Sequence, residues 1–247
     1  MPENYYPSQF DGQMTQGVAR RETLGQYTAK TFGLMFLGLL VTFGIAFYLS
    51  NTYSGLMLMV NAITAMPYIH LVILVAELVV VIAMSAMIRK ISPAAAMACF
   101  FVYSVLTGLT FGVLFAFYDV STLVLIFGFT ALYFGGMAVF GFFTKIDLSR
   151  LGPILIGGLI VLIVMNLLML FIPGLQAIDR VMCTVGVIIF LAFTAYDTQK
   201  IRRYYLGFQG DDAMLKKASI ISALELYLDF INLFLYLLRL FGNSKKN

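Results

Sequence analysis

The sequence predicts an all-α integral membrane protein, a bundle of seven transmembrane helices, and three observations support this. Of 247 residues, 61% are hydrophobic and 11% charged, with a mean hydropathy of +0.94; soluble domains carry about 25% charged residues. Seven apolar stretches each come close to the roughly 20 residues a helix needs to cross hydrocarbon. Between them, lysine and arginine collect in alternate connections, the pattern of cytoplasmic loops. The net charge of +4 therefore reads as membrane orientation, not as a nucleic-acid surface.

Residues 1–24 are polar and hold no apolar core of a cleavable signal, so they read as a cytoplasmic tail. The membrane domain spans residues 25–242, and a short basic tail, 243–247, follows. The predicted spans are Thr31–Ser50, Leu71–Met87, Ala94–Phe117, Ser121–Phe143, Pro153–Ile172, Val181–Gln199 and Ala218–Phe241. Pro93, Pro153 and Pro173 stand at span edges, where proline starts or stops helices. Residues 51–70 are too apolar for a plain loop and too interrupted for a span, which suits a short interfacial helix. Short connections make sequential helices antiparallel neighbours. Gly108–Gly112 forms a GxxxG, and further glycines at 135, 136, 141, 157 and 158 thin other helix faces for close packing.

With the N-terminus inside, twelve of the sixteen basic residues fall on the cytoplasmic side, from Arg20 to Lys217. Seven full crossings then place the C-terminus outside; a last segment that entered and returned to the same side would instead leave fifteen basic residues inside against one outside. Arg239, near the outer end of the last span, reads as snorkelling to lipid headgroups. Cys99 and Cys183 lie inside spans, without a CxxC or a nearby histidine, and read as packing residues.

The chemistry resides in the intramembrane acids. An ionisable side chain at bilayer depth costs several kcal/mol unless it faces a partner or water. Glu77 lies in the second span, Asp197 near the inner end of the sixth, and Glu225 and Asp229 in the seventh, four residues apart and so on one helical face. The connection between the last two spans is short, so Asp197 can face Asp229 or Glu225. Two carboxylates in a low-dielectric site cannot both ionise cheaply; they share a proton and titrate in coupled steps. Such a pair switches between a protonated closed state and an ionised one that separates or binds a hard cation such as Ca²⁺. Asp197 and Asp229 are thus candidate gate residues and candidate Ca²⁺ ligands. Glu77 and Glu225 are candidates for an ion pathway, or else structural acids bonded to neighbouring helices. Arg89, at the inner end of the second span, is a candidate latch or a positive-inside anchor.

Tyr196–Asp197 matches the "YD" of intramembrane aspartyl proteases, but the second aspartate lies in "LYLD" and not in GxGD. The chain has no HExxH and no P-loop either, so metalloprotease and ATP-driven pump are excluded and the protein reads as a non-enzyme. No cofactor is required by this reading.

Three segments, "TAYDTQKI", "LYLDFINLFLYLLRLFG" and "KIDLSRLG", resemble the Bax inhibitor-1 (transmembrane Bax inhibitor motif) family in its bacterial branch, with similarity over residues 25–242. The resemblance implies seven helices with the last one central, in the inner membrane of a bacterium, acting as a pH-sensitive calcium leak. It implies that Asp197 and Asp229 are the proton sensor, that Glu77 is the family's second-span glutamate, and that its latch arginine falls at Arg89. Calcium is then the transported ion, and the partners are membrane lipids. Some bacterial relatives instead resemble modulators of a membrane-bound AAA protease, the alternative function and partner.

Overall fold

The computed structural model describes residues 22–65, 69–87, 90–172 and 174–242. All regular elements among them are helices. These are α1 (Leu24–Asn51), α2 (Tyr53–Ala65), α3 (Ile69–Met87), α4 (Pro93–Gly112), α5 (Leu114–Phe117), α6 (Val120–Phe143), α7 (Gly152–Phe171), α8 (Asp179–Gly207) and α9 (Asp212–Phe241), with 3₁₀ turns before α7 and α8. Six helical segments are long and apolar enough to cross a membrane: Leu24–Asn51, Pro93–Gly112, Val120–Phe143, Leu148–Met169, Asp179–Gly207 and Asp212–Phe241. In α3 the apolar stretch is shorter, Val75–Met84. Among the described residues there are thus six candidate crossings where the sequence predicts seven. Arg89, Pro173, residues 1–21 and the basic tail lie outside the described residues.

Local signals set the helix ends. Thr23 opens α1 with a capping box: its hydroxyl accepts from Gln26 N–H, and the Gln26 side chain accepts from Thr23 N–H at 3.0 Å. Ser92 caps α4, with Pro93 in the first turn, where its missing N–H costs nothing. The third predicted span, Ala94–Phe117, is broken: α4 stops at Gly112, Val113 tightens to bond Thr110 O at 3.3 Å, and α5 forms a separate turn. Residues 53–65 are helical, as expected of an interfacial segment.

Close approaches follow some of the glycines. A Cβ on Gly108 would sit 2.9 Å from the Thr42 carbonyl, so this residue lets α4 press against α1. Gly141 meets the Ala195 backbone and brings α6 onto α8; Gly158 meets Ile189 and brings α7 onto it. Gly135, Gly136 and Gly157 face open space and pack nothing.

The last described helix has a different environment from the rest. Of its membrane window, 78% is buried, against 17–44% in the other five, and it packs against α1, α4, α6 and α8. Tyr227, Leu233 and Phe234 are fully enclosed. Phe234 meets Phe43 edge-on and stacks on Phe111, while Tyr227 takes Phe100 and Tyr103 edge-on. On α6 and α7, by contrast, Leu132, Phe143 and Ile154 are exposed, as lipid-facing residues are. This difference explains why α9 tolerates acids: its side chains face protein and not lipid.

Candidate functional site: an acidic cavity between α8 and α9

Helical spacing assembles the site. On α8, Asp197 and Lys200 are three residues apart and share a face; on α9, Glu225, Asp229 and Asn232 form a stripe four and three residues apart. The two stripes meet at a cavity of about 560 Å³ lined also by Glu77 of α3, Tyr103 of α4 and the apolar wall Ile156, Leu159 and Ile163 of α7. The structure therefore brings all four sequence-predicted acids, Glu77, Asp197, Glu225 and Asp229, to one space. Arg89, the candidate latch, lies outside the described residues.

Lys200 is the residue that sequence reasoning missed. Its Nζ lies 2.6 Å from Glu225 Oε1 and 3.8 Å from Asp197 Oδ1, with the side chain only 20% exposed. Glu225 is therefore held by an ammonium from the neighbouring helix. Standing at a span edge, Lys200 counts as one more cytoplasmic anchor; its signal was the three-residue spacing from Asp197.

Asp229 is buried, 4% exposed, and within electrostatic range of Asp197, Glu225 and Lys200. Its Oδ2 and the Oε2 of Glu225 are buried without a hydrogen-bond partner among the described residues. On α8, Thr194 and Thr198 donate to carbonyls of their own helix, at 2.8 and 2.7 Å. Asn232 likewise turns its amide back to Leu228 O at 2.8 Å. Glu77 accepts from Thr110 Oγ1 at 3.2 Å, which ties α3 to α4 and gives the acid the bonded role that the sequence left open beside an ion pathway. Three carboxylates on α8 and α9 against one ammonium leave charge that a proton or a cation must balance. Among the described residues, no group of three or more His, Cys, Asp or Glu side chains is arranged to hold a metal ion.

Two further clusters fix the frame. Gln199, one residue before Lys200, accepts from Leu148 N–H at 2.9 Å and donates to Ile146 O at 2.7 Å, clamping the α6–α7 connection onto α8. In that connection Asp147 accepts from Ser149 N–H at 2.9 Å and from the Ser149 hydroxyl at 2.8 Å. These bonds hold its carboxyl below the usual carboxylate range. At the other end of α8 and α9, Arg239 has partners within the protein: it pairs with Asp179 and donates to Asn166 Oδ1 at 2.9 Å, joining α7, α8 and α9.

Chains of similar sequence occur in several bacteria. The family model described as "Inhibitor of apoptosis-promoting Bax1" matches residues 24–246. The inner membrane protein YbhL of Escherichia coli strain K12 is 39% identical over 232 residues, 92% of this chain and 96% of its own length. A protein of Borreliella burgdorferi is 35% identical over 222 residues, covering 90% of this chain and 94% of that one. A membrane protein of Streptococcus pyogenes serotype M1 is 32% identical over 221 residues, with the same coverage.

Proposed function

The chain belongs to the Bax inhibitor-1 family of membrane proteins, and from that premise we propose that it is a pH-sensitive cation leak, carrying Ca²⁺, gated by Asp197 and Asp229. The observation that carries this reading is the cavity that gathers Glu77, Asp197, Glu225 and Asp229 within a membrane bundle. Buried oxygens without partners suit a hard cation, and paired acids suit a proton switch. In this reading a shared proton keeps α8 and α9 together; its loss leaves repelling charges that part the helices or draw in a cation. Glu77 lines the path, Glu225 stands beside it, and Arg89 is the latch.

The same reading makes α3 a seventh crossing, sets α9 at the bundle centre, and puts the N-terminus in the cytoplasm of a bacterial cell, with the chain in its inner membrane. The protein is then a non-enzyme with no cofactor, whose partners are membrane lipids and its transported ion.

The test is Ca²⁺ flux into liposomes holding only the purified protein, without ATP, from acid to neutral pH. Flux above empty liposomes supports the leak. Flux at the empty-liposome level, together with a co-purifying AAA protease, selects a regulator of that protease instead.

A further inference from the structure

Lys200 carries an inference that deepens the leak reading and rests on it. We propose that Lys200 is a tethered cation: its ammonium occupies the carboxylate cage of the cavity and competes there with the incoming divalent ion. The ammonium stands where an ion would. It touches Glu225 Oε1 at 2.6 Å and approaches Asp197 Oδ1 at 3.8 Å, while Asp229 and Glu77 line the same cavity. Asp229, 4% exposed and within electrostatic range of the ammonium, keeps Oδ2 without a partner among the described residues, so the cavity retains an unused oxygen.

The stem of Lys200 supplies the means of release. Lysine is a compact charge on four flexible carbons with three rotatable donors. Its Nζ already lies over the ring of Tyr204, one turn further along α8 and 5.4 Å from the centroid, a contact the ammonium can keep when its bond to Glu225 lets go. Arg203, the other nearby cation, packs over the Tyr196 ring at 5.2 Å. A divalent ion carries twice the charge of the ammonium and prefers several oxygens at once; the carboxylates that line the cavity are not gathered around one point, so in this proposal the ion draws them together as the ammonium leaves. An intramolecular ion at high effective concentration is a stronger competitor than a free monovalent one. The tether therefore screens the cavity against monovalent cations and weakens its hold on divalent ones enough for them to leave.

The test measures Ca²⁺ binding to the full-length protein in detergent, at fixed pH and ionic strength. Lys200→Met should bind Ca²⁺ at least about tenfold tighter than wild type, a conservative share of the effect of one unit charge a few ångströms away. Lys200→Arg should keep the weak binding. In wild type, Ca²⁺ should raise the rate at which an amine-acylating reagent labels Lys200 several-fold, a readout independent of any variant's folding. Equal Ca²⁺ binding by wild type and Lys200→Met, or a labelling rate indifferent to Ca²⁺, overturns the assignment whatever the flux assay finds. Tighter binding by Lys200→Met with no flux from either protein keeps the tethered cation and removes the leak.

Discussion

Tyr227 and Thr42 join the helix of the acidic stripe to α1 through a 2.6 Å hydroxyl–hydroxyl bond, both side chains fully buried. Thr42 gives its single proton to Ser104 O at 2.8 Å, so Tyr227 must be the donor in the pair. The two ends of this bond are therefore unequal. Tyr227→Phe leaves Thr42 satisfied by Ser104 and should cost about 0.6 kcal/mol, typical of a hydrogen bond within a membrane bundle. Thr42→Val takes the 2.6 Å acceptor from the Tyr227 hydroxyl, leaving it the Thr107 and Ser104 hydroxyls that it also faces, and should cost about 1–3 kcal/mol if neither takes its proton. Reversible unfolding in mixed detergent compares the two; equal losses would show that the tyrosine finds another acceptor.

Asp197 and Asp229 should behave as one unit. A pair that shares a proton responds to pH over a broader range than a single site. Each single Asp→Asn replacement removes one titrating group while preserving shape, and should abolish most of the pH dependence of flux. The double replacement should add little, because members of one network are not additive. A normal pH profile in both single variants would return these residues to a structural role.

Asp147 makes a pH prediction of a different kind. The Ser149 N–H and hydroxyl hold its folded pKa below the unfolded value. Its contribution to the turn is thus complete above the unfolded pKa, about 3.9, and fades as the pH falls through the folded one. Hydrogen exchange across residues 145–151, corrected for intrinsic rates, should quicken in acid. Asp147→Asn should show no such acid step.

Arg239 and Asp179 are each about a third exposed, 36% and 35%, so their pair contributes as a half-solvated bridge. A double-mutant cycle with Arg239→Met and Asp179→Asn should return a coupling of about 0.2–1 kcal/mol. A coupling of zero would mean that Arg239 serves only Asn166.

Topology is open to direct mapping. Single cysteines between Arg202 and Lys217, in a background lacking Cys99 and Cys183, should react with impermeant reagent only from the cytoplasmic side. Labelling from outside would reverse the orientation.

The sequence was most informative where a residue violates its surroundings. Glu77, Asp197, Glu225 and Asp229 stand out because acids are costly at bilayer depth, and four-residue spacing alone puts Glu225 and Asp229 on one face. Lys200 and Arg239 were opaque for the opposite reason: a basic residue at a span edge is what the membrane itself demands, so its protein partner leaves no trace. Span centres were legible because hydropathy accumulates along the segment. Their ends were not, since α1 begins at Leu24 and α8 runs on to Gly207. Polar turns beyond the hydrocarbon keep their helical bonds. The break at Val113 was hidden because the residues on both sides are equally apolar.

The enclosure of α9 also has a consequence for biogenesis. Residues 212–241 leave the ribosome after every helix they pack among, so α1, α4, α6 and α8 enter the bilayer with the seat for Tyr227, Leu233 and Phe234 still empty. Until then Asp197 and Lys200 have only each other to meet, and the half-made chain presents that polar pair without its seat on α9. A nascent chain arrested before Glu225 is therefore a substrate for membrane quality control, and its lifetime in the cell should fall short of that of the finished bundle.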